Sequence, residues 1–142
     1  MLWGCGSDDE AAPAACLASA DAYLEALKAA PQEVRLEGST PISECLVPDQ
    51  SPAELGRVGE ELIAAATRLN AQARGDPSGA ATVRLGYLVG AAQQGAAESA
   101  DVHTDLLRRL DAAARYNRPG EPLPASFERA FGEGYAAGQE GG

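Results

Sequence analysis

The sequence predicts an all-α protein, a small bundle of four to five helices with one long ordered loop. Ala is the commonest residue, at 30 of 142 positions, whereas Ile, Phe and Trp together number only five. Ala and Leu are strong helix formers, and the β-branched and aromatic residues that favour strands are scarce. A chain of this length suits one domain, which we assign to residues 13–142, behind a polar tether at residues 1–12.

Helical periodicity and capping signals place the first two helices. The first is predicted from about Ala14 to Ala30, where Pro31 follows. Residues 31–50 contain three prolines and are predicted to be an ordered connection held at Cys45. The second helix begins at residues 51–54, where Ser51 can cap, Pro52 occupies the first helical position and Glu54 completes a capping box. It is predicted to end near Arg74.

The second half of the chain predicts two or three more helices. One starts near Ser78 and is apolar almost all round, which predicts a central position in the bundle. The sequence leaves open whether this helix breaks near residues 95–99 or continues to Tyr116. A stretch over residues 101–116 would point four side chains inward: Val102, Leu106, Leu110 and Ala113. The last helix is predicted from about Ala125 to Gly138, after a proline-rich loop.

Two segments share the pattern Gly-Tyr-x-x-Gly, at residues 86–90 and 134–138. Small residues four apart on a helix form a groove, and a neighbouring Tyr fills space while its hydroxyl needs a polar partner. We therefore predict a groove that packs against another helix or holds a ligand. Its candidate residues are Gly86, Tyr87, Gly90, Phe131, Gly134, Tyr135 and Gly138.

The net charge of −10 argues against nucleic acid as a partner, because the phosphate backbone repels an acidic protein. No stretch reaches the roughly 20 apolar residues of a membrane-spanning helix. One basic cluster stands out, formed by Arg108, Arg109, Arg115 and Arg118. We interpret it as cations placed toward a helix C-terminus, where the dipole favours them; an anionic partner is the alternative.

Motifs that would indicate an enzyme are missing from the sequence, so no catalytic residue, metal ligand or cofactor is predicted. No HExxH motif, phosphate-binding glycine loop or Gly-x-Ser-x-Gly elbow occurs. The single histidine, His103, has no carboxylate three or four positions away that would fix its tautomer. We expect a histidine at the surface or boundary; the alternative is a cytosolic enzyme with an unfamiliar site around His103.

The strongest functional signal lies at the start of the chain. Residues 2–5 read Leu-Trp-Gly-Cys and are followed by Gly-Ser-Asp-Asp-Glu. This start resembles the lipobox of bacterial lipoproteins, although Trp3 stands where a small residue is usual. The resemblance implies that Cys5 receives a diacylglyceryl group and that the acidic residues form a tether. It also requires the charged and apolar parts of a signal peptide to precede Met1.

Lipid on Cys5 would leave Cys16 and Cys45 as an even pair for a disulfide, since the chain has three cysteines. Disulfides persist in the oxidising compartment that such a protein occupies. Two buried free thiols are the alternative.

Two functional hypotheses follow. The first is an extracytoplasmic lipoprotein anchored to the bacterial cell membrane through Cys5, whose bundle is a non-enzymatic binding or scaffolding module for a protein partner in the envelope. The second is a helical protein that holds a small apolar ligand between the third and last helices, lined by Tyr87, Phe131 and Tyr135.

Overall fold

The fold is all-α, as the composition predicts. The computed structural model describes residues 11–97, 99, 101–116 and 120–142. In this part of the chain there are five α-helices and one two-stranded antiparallel sheet. The helices are α1 (Ala20–Ala26), α2 (Pro52–Gly75), α3 (Ala80–Ala96), α4 (Thr104–Ala114) and α5 (Ala125–Gly141).

The first predicted helix is not continuous, which corrects the expectation of one helix from Ala14 to Ala30. A 3-10 turn at Ala14–Leu17 precedes α1, and a second at Leu27–Ala29 follows it. The backbone is extended at Ala18 and Ser19. The break is stabilised from outside the segment, because the backbone N–H of Ala20 donates to the Glu61 carboxylate of α2 at 2.7 Å.

Residues 31–50 are ordered, as predicted, and contain two short strands. Strand β1 (Arg35–Leu36) pairs antiparallel with β2 (Thr40–Pro41), and a 3-10 turn at Ile42–Cys45 follows. A disulfide joins Cys45 to Cys16, with the two Cα atoms 5.4 Å apart. This confirms the predicted pairing and fastens the connection to the start of the domain.

The predicted start of α2 at Ser51 and Pro52 is confirmed, while the Glu54 carboxylate accepts from Ala12 and Gln50. The Ser51 hydroxyl accepts a hydrogen bond from the backbone N–H of Glu54 at 3.2 Å, and Pro52 is the first helical residue. One face of α2 packs against the core, and its side chains are almost fully buried. They are Val58, Leu62, Ala65, Ala66, Leu69 and Ala73. Ordinary side-chain packing therefore holds this helix.

The third predicted helix breaks, so α3 and α4 are separate. Helix α3 is central, as its all-round apolar character predicts, and residues 85–92 are all buried. In α4, Leu106 and Leu110 face inward as predicted, Ala113 is half-buried against the core, and Ala114 is the buried residue at the end of the helix. The expectation was wrong for Val102, which is 40% exposed: it lies in the turn before α4, where helical spacing does not apply.

Specific contacts fix the directions of the four long helices. Gly59 of α2 lies against Leu106 of α4, and the Asn70 side-chain amide farther along α2 donates to the backbone carbonyls of Ala113 and Arg115. Helices α2 and α4 therefore run parallel, and the short loop after α2 reverses the chain into α3. Helix α5 runs parallel to α3 and packs chiefly on it.

Candidate functional site

The two Gly-Tyr-x-x-Gly segments pack against each other at the contact between α3 and α5. A Cβ atom on Gly86 would overlap the backbone carbonyl of Phe131, and one on Gly134 would overlap that of Val83. One turn on, Gly90 and Gly138 meet the carbonyls of Tyr135 and Tyr87 in the same way. Each glycine thus faces the carbonyl three residues before its counterpart, so the two helices contact each other reciprocally along their backbones.

This contact occupies the predicted groove with the backbone of the opposite helix. The hydroxyl groups of the two tyrosines find the polar partners that burial requires. The buried Tyr87 hydroxyl accepts from the backbone N–H of Val34 at 3.0 Å. The Tyr135 hydroxyl donates to Gln93 on α3 and accepts from Gln139 at 3.1 Å. Both tyrosines therefore connect structural elements.

The single histidine lies inside the protein, which corrects the expectation of a surface or boundary position. His103 is fully buried just before α4. Its Nδ1 lies 2.6 Å from the Ser99 hydroxyl, and its Nε2 lies 2.9 Å from Oε1 of Gln50. Gln50 in turn donates through Nε2 to the carbonyl of Cys45 at 3.0 Å and to the Glu54 carboxylate at 3.1 Å.

These contacts determine the tautomer of His103. Because the Gln50 amide nitrogen donates to two acceptors, its oxygen faces the histidine and must accept from Nε2–H. In the neutral ring Nδ1 then accepts from the Ser99 hydroxyl, and the backbone carbonyl of Ala96, 2.7 Å from the same oxygen, competes for its one proton. Burial lowers the pKa of His103 below its usual 6.5 by desolvation, which favours this neutral form. The network joins the turn before α4 to the start of α2.

Sequence reasoning missed both partners of His103 for different reasons. Ser99 stands four positions before the histidine, and a search restricted to carboxylates passes over it. Gln50 lies 53 residues away, and no local pattern connects it to His103. The hydrogen-bond network Ser99–His103–Gln50–Glu54 is shielded from solvent, since Ser99 is 5% and Gln50 6% exposed and His103 is fully buried.

A second concave feature lies between the C-terminal half of α4, the segment before α5 and the first turns of α5. This aromatic groove has a volume of about 560 Å³. Its lining residues are Asp111, Ala114, Arg115, Tyr116, Leu123, Phe127, Glu128 and Phe131. The volume falls in the range of small-molecule sites, and Phe131 is the one predicted groove residue that lines it.

Aromatic rings form the floor of the aromatic groove. The ring centroids of Tyr116 and Phe127 are 5.0 Å apart, and those of Phe127 and Phe131 are 5.7 Å apart. Phe127 and Phe131 are spaced four residues apart on α5, so they lie on one face of the helix. Leu123 on the rim is 47% exposed. The groove thus combines a rigid aromatic floor with an accessible aliphatic rim.

Charged side chains border the same groove. Asp111 is exposed, and partial desolvation raises the pKa of its carboxyl while the nearby charge of Arg115 lowers it. Among the side chains that the structure describes, none forms an ion pair with Asp111. Glu128 adds a second carboxylate from α5.

The remaining predicted features divide between described and undescribed positions. Cys5 and Arg118 lie outside the described residues. Arg108, Arg109 and Arg115 are exposed, and Arg108 forms an ion pair with Asp105. Across the described ranges, no cluster of three or more metal-ligating side chains occurs and no helix is long and apolar enough to cross a membrane.

Comparisons of this chain with protein-family models, with curated proteins and with solved structures found no match.

Proposed function

We propose that this protein is an envelope lipoprotein, anchored to the bacterial cell membrane through lipid on Cys5, whose helical bundle is a non-enzymatic binding or scaffolding module. The observation that carries this proposal is the lipobox-like start at residues 2–5, followed by the acidic tether. Two or more acyl chains are enough for stable membrane anchoring.

The distribution of cysteines supports the proposal. The chain has three cysteines, and Cys16 and Cys45 are consumed by the disulfide. Cys5 is therefore the one cysteine that remains for another role. A structural disulfide also fits an oxidising compartment outside the cytoplasm.

The place where the tether joins the bundle gives the proposed anchoring a direction. The backbone N–H of Ala12 donates to the Glu54 carboxylate at 2.9 Å, which fixes this residue beside the first turn of α2. Residues 6–11 span at most about 20 Å when extended. Lipid on Cys5 would hold the start of α2 near the membrane surface.

The same geometry would turn the aromatic groove away from the membrane. Asn70 of α2 binds the carbonyls of Ala113 and Arg115 beside the groove. The 16 residues from Glu54 to Asn70 correspond to about 24 Å along a helix. A binding surface at that end would be accessible to a partner in the aqueous phase.

The test is intact mass and membrane fractionation of the protein expressed with its own upstream region. We expect a membrane-bound chain whose mass is raised by lipid, and loss of both properties in Cys5→Ser. The control is Cys16→Ser combined with Cys45→Ser, which removes the disulfide and keeps Cys5, and which should still carry lipid. An unmodified wild-type chain that starts at Met1 in the soluble fraction would overturn the proposal.

A second candidate function is the holding of a small apolar ligand by the helical domain. The observation that favours it is the aromatic groove, with its volume of about 560 Å³ and the exposed Leu123 on its rim. This site differs from the predicted one between α3 and α5, where the facing backbones leave no room for a ligand.

A further inference from the structure

We propose that the aromatic groove binds a small organic cation with an apolar body, such as an alkylammonium compound. This inference rests on the second candidate function, the holding of a small ligand, and names the chemical class of that ligand. It is independent of lipid attachment at Cys5.

The floor of the groove suits an apolar body with a diffuse positive charge. The rings of Tyr116, Phe127 and Phe131 form a row with centroid separations of 5.0 and 5.7 Å. The faces of aromatic rings carry negative potential and attract ammonium groups within about 6 Å. Phe127 is only 5% exposed, so the half-buried rings of Tyr116 and Phe131 are the ones that a ligand would contact. The exposed Leu123 supplies aliphatic surface that an alkyl chain would cover.

The charges on the walls favour a cation over an anion. Among the lining residues that the structure describes, Asp111 from α4 and Glu128 from α5 contribute two carboxylates and Arg115 one guanidinium. The Asp111 carboxylate is partly desolvated, and no described side chain forms an ion pair with it. A bound ammonium would add a second opposite charge to that of Arg115, which already acts on this carboxylate.

Arg115 is expected to affect the affinity for a cation in the direction opposite to that of the two carboxylates. Its guanidinium lies on the groove lining and is exposed, so it competes with a cationic ligand for the carboxylates. Neutralising Arg115 should strengthen the binding of a cation, whereas neutralising Asp111 or Glu128 should weaken it.

The experiment is isothermal titration calorimetry of the full chain with three probes that share an octyl chain: octyltrimethylammonium, octyl glucoside and octyl sulfate. We expect the ammonium probe to bind best. Its affinity should fall roughly threefold to tenfold in Asp111→Asn and in Glu128→Gln, and rise in Arg115→Gln.

A matched control is Glu133→Gln, which removes one exposed carboxylate from α5 outside the groove lining. It changes the net charge as much as Glu128→Gln does. If the ammonium probe were attracted only by the overall acidity of the protein, its binding would weaken equally in both variants. Equal weakening would overturn the inference.

The three probes also distinguish failure of this inference from failure of the second candidate function, the holding of a small ligand. Equal binding of all three would overturn the preference for a cation while leaving a ligand-holding groove. No binding of any probe would overturn both the inference and the second candidate function. An anionic probe that binds best would assign the groove to Arg115 and overturn the inference.

Discussion

Helix α3 is held on two sides by different means, and the comparison shows what each kind of contact tolerates. Toward α5, four glycines let the two backbones touch, and an added carbon at any of them would overlap a carbonyl group. Toward the N-terminal part of the domain, one glycine, Gly95, also lies against the backbone of Ser43, and side chains and a disulfide supply the other contacts. The Cys16–Cys45 disulfide holds the turn that precedes α2, and the Tyr87 hydroxyl binds Val34.

The two sides therefore differ in what would break them. Close contact between two helix backbones requires that no side-chain atom lies between them. A substitution that adds volume there therefore destabilises the fold, whereas reduction of the disulfide leaves this contact unchanged. The disulfide acts mainly on the unfolded chain, so it fails on reduction and is little affected by small changes at the surface.

The largest effect is expected on the disulfide side. Replacing Cys16 and Cys45 together by Ala should lower the free energy of unfolding by about 3–4 kcal/mol, because the bond closes a loop with a sequence separation of 29. Urea unfolding followed by circular dichroism measures this. Cys5→Ser is the control and should leave the midpoint unchanged; a wild-type midpoint that reductant did not move would contradict the expectation.

The next effect is expected on the glycine side. Gly134→Ala should lower the free energy of unfolding by about 2–3 kcal/mol, because α3 and α5 must separate to admit the methyl group. Gly132→Ala lies on the same helix, where a Cβ meets nothing within 4 Å. It should instead stabilise the protein by about 0.5–1 kcal/mol through helix propensity. Changes of the same sign in the two variants would refute the packing account.

The smallest effect concerns the pH dependence of stability at His103, because the loss of stability from protonating this ring arises only below neutral pH. Burial lowers the folded-state pKa of this ring, so the unfolded chain binds the proton more readily. The contribution of the neutral ring is fully present above the unfolded pKa of about 6.5 and is lost as pH falls below it. Chemical unfolding at pH 7.5 and 5.5 should give a smaller difference in His103→Gln than in wild type. Equal differences would argue against a buried neutral histidine.

The sequence anticipated the features that depend on neighbouring residues. The N-cap at Ser51 appears as predicted, since its donor and acceptor lie within one turn, whereas the Glu54 carboxylate accepts from Ala12 and Gln50 and so serves a tertiary contact that the predicted capping box did not include. The fold class and the central position of α3 follow from composition and periodicity, which are also local properties. The break between Ala18 and Ser19 escaped prediction because Glu61, from another helix, supplies the bond that stabilises it.

The candidate sites were less predictable for the same physical reason. The burial of His103 depends on Gln50, and the aromatic groove depends on Tyr116 meeting Phe127 across a turn. Helical spacing placed Phe127 and Phe131 on one face, but it could not say that Asp111 and Glu128 would border the same cavity.

By itself the sequence determined that the chain is helical, where α2 begins and which glycines lie on a helix face, and it favoured the pairing of Cys16 with Cys45 over free thiols. Only the tertiary structure decided that the two glycine motifs meet each other, that His103 is buried, which lowers its pKa, and that an open groove lies beside α5. The reason is that propensity, capping and periodicity act over a few residues. Burial, desolvation and cavity shape arise only when separate segments come into contact, as Tyr116 does with Phe127 and as Gln50 does with His103 across 53 residues.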